Sequence, residues 1–241
     1  GFTGRSFRQH QEVLRYAFGH QVEAGFSTVD VGGILSNVTN KFLLAGFIPQ
    51  LFLVDRQADV VEPKRLDPSH VRFREPRTPF FSTQIALMHA GEIVLGVSSG
   101  TMMDEVAWAE KGGGAWLNGT RLAISDIDDP DRAAVSTGNL RSLAKSAGWS
   151  ALAGVLARAD RTRGYGDFYH YHLLASGKIE AVIESDVNIL DIAALSIIVT
   201  EAGGVFTDLN GNKPTLETRS VLAANPALHE EYLSRLRGFV D

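Results

Sequence analysis

Two carboxylates, Glu184 and Asp191, flank the point where a strand pattern gives way to a helix pattern. Residues 179–183 are largely apolar and predict a short strand that leads to Glu184. From Ile192 onward apolar residues recur at helical spacing, and Gly203 is the kind of residue that ends a helix in the left-handed conformation. The positive end of the helix dipole therefore lies beside both carboxylates, where an anion and its metal ion would be held.

Asp191 also has a purely structural interpretation. Its carboxylate can accept hydrogen bonds from backbone N–H groups that are free in the first helical turn, and it would then serve only as a helix cap. The spacing by itself leaves both interpretations open.

A longer motif around Asp191 favours the chemical interpretation. The run Leu190-Asp191-Ile-Ala-Ala194, with Glu201-Ala-Gly-Gly204 ten residues after Asp191, resembles the C-terminal signature of the inositol monophosphatase family. In these magnesium-dependent phosphatases an aromatic residue usually precedes the aspartate, where this chain has Leu190. The family also carries a substrate-binding glutamate seven residues before the aspartate, which is the position of Glu184.

The resemblance is nearly continuous from Phe80 to the end of the chain. Its sequence motifs are most similar to those of the histidinol-phosphate phosphatase branch of the family. Among the matching runs are Leu117-Asn-Gly119, Arg163-Gly-Tyr-Gly-Asp167 and Ser220-Val-Leu-Ala-Ala-Asn225. The resemblance implies the layered αβαβα fold of sugar and inositol phosphatases. It also implies hydrolysis of a small phosphorylated metabolite, with histidinol phosphate slightly ahead of inositol monophosphate, by a homodimer.

The first 79 residues do not contain the family's metal-binding motifs intact. Neither a Gly-Glu-Glu turn nor an Asp-Pro-Ile-Asp-Gly-Thr turn is present. The nearest placement of the second motif is residues 66–72, where Asp67 matches the first aspartate and His70 replaces the second. Asp55, which follows a predicted strand over residues 51–54, stands where the glutamate would be. The alternative is chance similarity in a loop.

The chemistry of phosphate ester hydrolysis explains why these residues matter. A hard cation bound by oxygen ligands bridges the phosphate and lowers the pKa of the attacking water. The resemblance implies Mg²⁺ as the cofactor, held by Asp55, Asp67 and Asp191, with Asp67, His70 and Asp191 as the catalytic residues. An imidazole in place of a carboxylate removes a negative charge and favours softer metals, so Mn²⁺ or Zn²⁺ is also open.

Three further residues are candidates for binding the substrate. By the resemblance, Glu184 and Asp167 hold its non-phosphate end, although Asp167 is equally suited to cap the helix that follows. Arg163 is a candidate for pairing with phosphate, but a lone arginine is often in a surface ion pair. His170 and His172 cannot face one another at their spacing on a helix, and neither is assigned a role.

Composition limits the class of protein. The 241 residues carry a net charge of −5 and no cysteine, which excludes disulfides and thiolate chemistry and argues against a nucleic-acid surface. No apolar run reaches membrane-spanning length, and no signal peptide opens the sequence. We therefore expect a cytoplasmic enzyme that binds neither nucleic acid nor a membrane.

The pattern of helices and strands predicts two halves, residues 1–126 and 127–241, separated at an acidic linker. The first half has two predicted helices, over 9–24 and from 27 onward, a loop over 56–79, and a meander of strands from residue 81 to 125. The second half has predicted strands at 135–137, 179–183, 205–207 and 220–225. Its predicted helices lie at 152–159, 169–175, 192–202 and 227–236.

A different class of function is compatible with the same sequence. The missing Asp-Gly-Thr motif is what a catalytically silent family member would show, one that binds a ligand or a partner without hydrolysing it. Glu184 and Asp191 argue against complete loss of activity. A third possibility is that residues 1–79 are altered relative to an ordinary family phosphatase, which intact mass and peptide sequencing would test.

Overall fold

The computed structural model describes residues 52–55, 82–89, 91–100 and 103–236. The strands in these ranges are β1 (Phe52–Asp55), β2 (Thr83–His89), β3 (Glu92–Gly100), β4 (Glu105–Glu110), β5 (Gly114–Leu117), β6 (Thr120–Arg121), β7 (Ala134–Gly138), β8 (Arg161–Arg163), β9 (Ala181–Ser185), β10 (Val205–Thr207) and β11 (Ser220–Ala224). The helices are α1 (Leu140–Lys145), α2 (Trp149–Arg158), α3 (Tyr169–Ala175), α4 (Ile189–Glu201) and α5 (Pro226–Leu236), with a 3-10 turn at Pro130–Arg132.

The strands form two sheets. Sheet 1 has the order β1-β2-β3-β4-β5-β6, in which β1 is parallel to β2 and every later pair is antiparallel. Sheet 2 has the order β10-β11-β9-β7-β8, with β7 parallel to both of its neighbours. The predicted strand before Asp55 and the predicted hairpin of β2 and β3 are confirmed.

Helix α4 is buried between the two sheets. All eight residues from Ile192 to Val199 are buried, so this helix is apolar on every side, as expected of a helix with no solvent face. Sheet 1 meets it with small residues, which let the helix axis come close to the strands: Ala86, Gly96, Ala107, Ala109 and Ala115. No helix among the described residues, α4 included, has the length and apolarity needed to cross a membrane.

Sheet 2 separates two hydrophobic clusters because strand side chains alternate between faces. Val182 in β9 faces the cluster around α3 and α4, while its neighbours Ala181 and Ile183 face a second cluster with α2 and α5. The described layers are thus sheet 1, then α3 and α4, then sheet 2, then α2 and α5. The layered α/β fold is confirmed; the helices predicted within residues 1–50 and the loop over 56–79 lie outside the described residues.

The end of the meander differs from its prediction. Strand pairing was expected through residue 125, but β6 ends at Arg121. The backbone N–H of Ile124 donates to the carbonyl of Ala202 at the end of α4 (3.1 Å) instead of to a neighbouring strand. A tertiary contact with a distant helix therefore replaces the local sheet pairing.

Two short elements were not predicted. Strand β8 occupies residues where only a turn was expected, and α1 follows β7 directly. Each is under seven residues long, which is too short for a periodic pattern to show in the sequence. The strands of sheet 1 precede residue 126 and those of sheet 2 follow it, but α4 packs on sheet 1, so the proposed division at 126/127 stays a prediction.

The contact between β3 and α4 gives a test of this packing. A methyl group on Gly96 would lie 2.5 Å from the carbonyl oxygen of Ala194 and 2.6 Å from Cγ2 of Ile197. We expect Gly96→Ala to lower the free energy of unfolding by about 3 kcal/mol, because backbone on one side and a buried side chain on the other must move. Chemical denaturation measures the change.

The matched control is Gly154→Ala in α2. A Cβ there meets nothing within 4 Å, so the alanine should raise stability by up to about 1 kcal/mol through its higher helix propensity. If both variants are as stable as the parent protein, β3 and α4 can separate at no cost and the packing described here is wrong.

Candidate active site

The junction between β9 and α4 positions the first candidate carboxylate. Asn188, not Asp191, is the N-cap of α4: its side-chain oxygen accepts from the Leu190 N–H (2.8 Å). Asp191 lies three residues later and accepts from both the backbone and the side-chain N–H groups of Asn188, which completes a capping box. Asp191 thus contributes to capping, as its structural interpretation allowed, but from the third helical position and not as the N-cap, because the helix begins earlier, at buried Ile189.

Glu184 is the most buried member of the site. It shares a face of β9 with Val182 and is 6% exposed. Its Oε2 accepts from the hydroxyl of Tyr171 (2.8 Å) and lies 3.2 Å from Nε2 of His170. Its Oε1 rests against Gly138 in the parallel neighbour β7, so closely that an added Cβ would lie 2.1 Å from that oxygen.

Asp167 does not cap a helix, contrary to the alternative considered for it. Phe168 occupies the N-cap position of α3, and no side chain forms a capping hydrogen bond there. Asp167 instead adopts the left-handed backbone conformation (φ 47°), next to Gly166 with φ 72°. Its carboxylate is therefore not used as a cap by the helix.

The pKa shifts of the two aspartates relate the three carboxylates to one another. Burial raises the pKa of Asp167, and the negative charge of Glu184 raises it further while His170 opposes the shift. Burial also raises the pKa of Asp191; the hydrogen bond from Asn188 opposes that effect, and the charges of Glu184 and Asp167 add to it. The structure thus relates Asp167, predicted from the run 163–167, to Glu184 and Asp191, which were predicted from a single junction of strand and helix.

The described residues alone do not form a metal centre. In the ranges 52–55, 82–89, 91–100 and 103–236, no three acidic or histidine side chains converge as a metal-binding group. Asp67 and His70 lie outside the described residues, as does the side chain of Asp55, although its strand β1 is parallel to β2 in sheet 1. A metal ion at Asp191 would therefore need ligands besides the described side chains.

Arg163 lies apart from the acidic cluster. It ends the edge strand β8, is exposed, and donates from its guanidinium to the carbonyl of Thr162 (2.7 Å). The described contacts of Arg163 therefore give no support to its predicted pairing with substrate phosphate.

Sequence reasoning assigned no role to the two histidines of α3, yet both bind carboxylates. They are two residues apart, about 200° around the helix, and point to opposite sheets. His170 lies between Ser136 (3.2 Å) and Glu184, while His172 lies between Ser98 (2.7 Å) and Glu105 (2.8 Å). Helix α3 is enclosed by two sheets, so both of its faces are buried. This location gives His170 partners in sheet 2 and His172 partners in sheet 1.

The contacts of His172 have the order of a nucleophile, a base and an acid. Ser98 and His172 are, however, 0% and 1% exposed, so no substrate reaches the serine hydroxyl. Gln84 Nε2 donates to Ser98 Oγ (2.8 Å), which leaves the serine hydrogen for His172 Nε2 and the Nδ1–H for Glu105. This network is structural, and it ties α3 to sheet 1.

Comparison with known proteins places this geometry in context. A family model described as the inositol monophosphatase family matches residues 73–240. The chain is 34% identical over 163 residues to a histidinol-phosphatase of Mycobacterium tuberculosis, covering 66% of this chain and 62% of that protein. It is 30% identical over 165 residues to an inositol monophosphatase of Dictyostelium discoideum, covering 62% and 57%. The chain thus spans about three fifths of the length of these curated relatives.

Solved structures show the same relationship. An IMPase of Thermotoga maritima superposes with a TM-score of 0.63 at 25% identity, covering 86% of this chain and 80% of that one. The extragenic suppressor protein suhB of Bartonella henselae superposes with a TM-score of 0.61 at 28% identity, covering 67% and 64%. Both TM-scores show that these proteins share the overall fold of this chain over the parts covered.

The raised pKa values of Asp167 and Asp191 predict that ionisation of these two carboxyl groups destabilises the folded protein. Both aspartates titrate above their ordinary value of 3.8, so the native protein loses stability as the pH rises through their folded-state pKa values. We expect Asp167→Asn and Asp191→Asn to be more stable than the parent at pH 7 without metal. The gain should stay below about 1 kcal/mol, because exposed charges are screened, and should vanish towards pH 4.

Denaturation curves at several pH values and low salt measure this effect. Asp186→Asn is the control for the backbone, since Asp186 has the same left-handed conformation as Asp167 (φ 57°). A gain in the cluster variants that does not change with pH would show that charge repulsion is not its cause.

Proposed function

The chain belongs to the inositol monophosphatase family, and on that premise we propose that it is a metal-dependent phosphatase that hydrolyses a small phosphate monoester. The observation that carries the proposal is the cluster of Glu184, Asp167 and Asp191 at the start of α4. These carboxylates repel one another, and positive charge brought by ligands, a metal ion at Asp191 and a cationic substrate group at Glu184 and Asp167, would relieve the repulsion. Relatives named histidinol-phosphatase and inositol monophosphatase support the same class of substrate.

Asp191 is the described residue best suited to bind the metal ion. Asp191 is more exposed than Glu184 and lies at the helix start, and its described hydrogen bonds, both from Asn188, fall on Oδ2 alone, which leaves Oδ1 for a metal ion. Carboxylate oxygens are hard ligands of the kind Mg²⁺ prefers, and we propose Mg²⁺ held by Asp191 with Asp55 and Asp67. When bound, such an ion would polarise the phosphate and lower the pKa of the attacking water.

Glu184 and Asp167 are proposed to bind the non-phosphate end of the substrate. Two carboxylates beside the metal site favour an ester that carries a positive charge, since each charge left unpaired would be costly where it is partly buried. Histidinol phosphate carries an ammonium group and an imidazole, whereas inositol monophosphate carries only hydroxyls. The charge of the site therefore favours histidinol phosphate.

The cellular setting is part of the same proposal. We propose a homodimer in the cytoplasm, in keeping with the acidic composition and the absence of cysteine. Light scattering coupled to size-exclusion chromatography measures the oligomeric state.

The first test is phosphate release from histidinol phosphate and inositol monophosphate, with a chelator and with added Mg²⁺, Mn²⁺ or Zn²⁺. We expect release that depends on metal and falls by at least about a hundredfold in Asp191→Asn, because that variant loses a charged metal ligand. Since the same variant should be slightly more stable than the parent, the loss is not explained by unfolding. Folded protein that releases no phosphate under any metal would instead be a catalytically silent binder.

The second test concerns substrate choice. Glu184→Gln keeps the shape of the side chain and removes its charge. We expect kcat/KM for histidinol phosphate to fall about tenfold more than kcat/KM for inositol monophosphate, because only the first substrate offers a cation to the carboxylate. Equal losses for the two esters would show that the charge of Glu184 does not choose the substrate.

A further inference from the structure

The Glu184 carboxylate is held from α3 by two adjacent side chains. His170 and Tyr171 are 0% and 1% exposed, and both contact the same oxygen, Oε2. Two donors on one oxygen set the rotation of the carboxylate group as well as its position. A buried carboxylate requires such donors, and here both come from one helix, so the geometry of α3 determines the orientation of the Glu184 carboxylate.

The directions of these hydrogen bonds are settled by the surrounding groups. The Tyr165 N–H donates to Ser136 Oγ (3.3 Å), so the serine hydrogen is available to Nδ1 of His170 (3.2 Å). An ionised carboxylate can only accept, so Nε2 of His170 carries a hydrogen and donates it to Glu184. Burial and the charge of Glu184 raise the pKa of Tyr171 well above its usual value, so its hydroxyl stays protonated and donates.

The other carboxylate oxygen is confined by the neighbouring strand. Oε1 of Glu184 occupies the space that a side chain on Gly138 would fill. Gly138 pairs with Glu184 in the parallel register of β7 and β9, at the ends of both strands. The carboxylate is therefore fixed on one side by donors from α3 and on the other by a strand without a side chain.

Helix α3 is itself held in place by other contacts, which fix the positions of the His170 and Tyr171 donors. On the face opposite His170, His172 contacts Ser98 and Glu105 of sheet 1 at 2.7 and 2.8 Å. The helix is thus attached by buried polar contacts to both sheets. Satisfied buried polar networks of this kind specify one arrangement of the elements they join.

We propose that His170 and Tyr171 are positioning residues, which orient the Glu184 carboxylate towards the non-phosphate end of the substrate. The inference rests on the proposed function for the identity of the substrate. It goes beyond that function by assigning a role to two residues that neither contact the phosphate nor bind the metal ion.

The test compares Tyr171→Phe with the parent protein. This variant removes one hydroxyl and keeps the ring, and we expect binding of the product to weaken about tenfold, the usual effect of losing a hydrogen bond to a charged group. Calorimetry with histidinol and with inositol, in the presence of Mg²⁺ and inorganic phosphate, measures affinity without turnover. In parallel, kcat and KM are measured for both phosphate esters and for 4-nitrophenyl phosphate, which has no group for Glu184.

The matched control is Tyr232→Phe in α5. The Tyr232 hydroxyl is equally buried but has no hydrogen-bond partner within the described part of the chain, and it lies in the cluster on the other face of sheet 2. The affinity for ligand should be unchanged in this variant. Thermal melts of both variants show that each is folded.

Substitution of His170 gives an independent arm. Glutamine places an N–H close to the position of Nε2, whereas leucine removes the donor at similar volume. We expect His170→Gln to bind ligand more tightly than His170→Leu, with His229→Gln as the control for a buried histidine outside the site. A merely structural role would instead rank the variants by their melting temperatures.

The outcomes separate this inference from the proposed function. Weaker product binding in Tyr171→Phe, with a larger loss of kcat/KM for the specific ester than for 4-nitrophenyl phosphate, supports positioning. If Tyr171→Phe binds product more weakly but the parent protein releases no phosphate, the proposed phosphatase activity is wrong and the positioning role stands. Unchanged binding in Tyr171→Phe overturns the inference, and so does failure of the parent protein to bind either product.

Discussion

The burial of α4 between two sheets is the constraint on which the rest of the described structure depends. A helix that is apolar on all sides must be covered on all sides, and sheet 1 covers it with alanines and Gly96. At its far end Glu201 accepts from the backbone N–H groups of Gly112 and Gly114 (both 2.9 Å), which ties the helix to the turn between β4 and β5. Because the helix is held along its length, the position of Asp191 in its first turn is set by packing.

The second constraint is polar and runs through α3. This helix has seven residues, so it gains little stability from its own hydrogen bonds. It is held instead by contacts from His172 to sheet 1 and from His170 and Tyr171 to sheet 2. The apolar packing of α4 and the polar contacts of α3 together bring Glu184 and Asp191 to the same place, where their charges oppose each other.

Prediction from the sequence was correct where an apolar pattern is long, or where a residue type has one usual backbone role, as a glycine has at the end of a helix. The hairpin of β2 and β3, the course of α4 and the left-handed Gly203 (φ 98°) belong to this group. It failed for the helix caps, because Asn188 and Phe168 take the positions expected for Asp191 and Asp167. Which residue is the N-cap depends on where the helix begins. Helix α4 begins at Ile189, which is buried by tertiary packing, and the helix propensities of the neighbouring residues do not reveal this.

The sequence by itself determined the layered α/β class, the family resemblance and the identity of three acidic candidates, since these depend on local pattern and residue type. The tertiary structure decided which of them interact: the charges of Glu184, Asp167 and Asp191 influence one another, while Arg163 lies on an exposed edge strand. It also brought His170 and Tyr171 into contact with Glu184, which lies on a strand of the sheet that packs against α3. Spacing along a chain cannot show contacts of that kind, which arise only when two layers pack face to face.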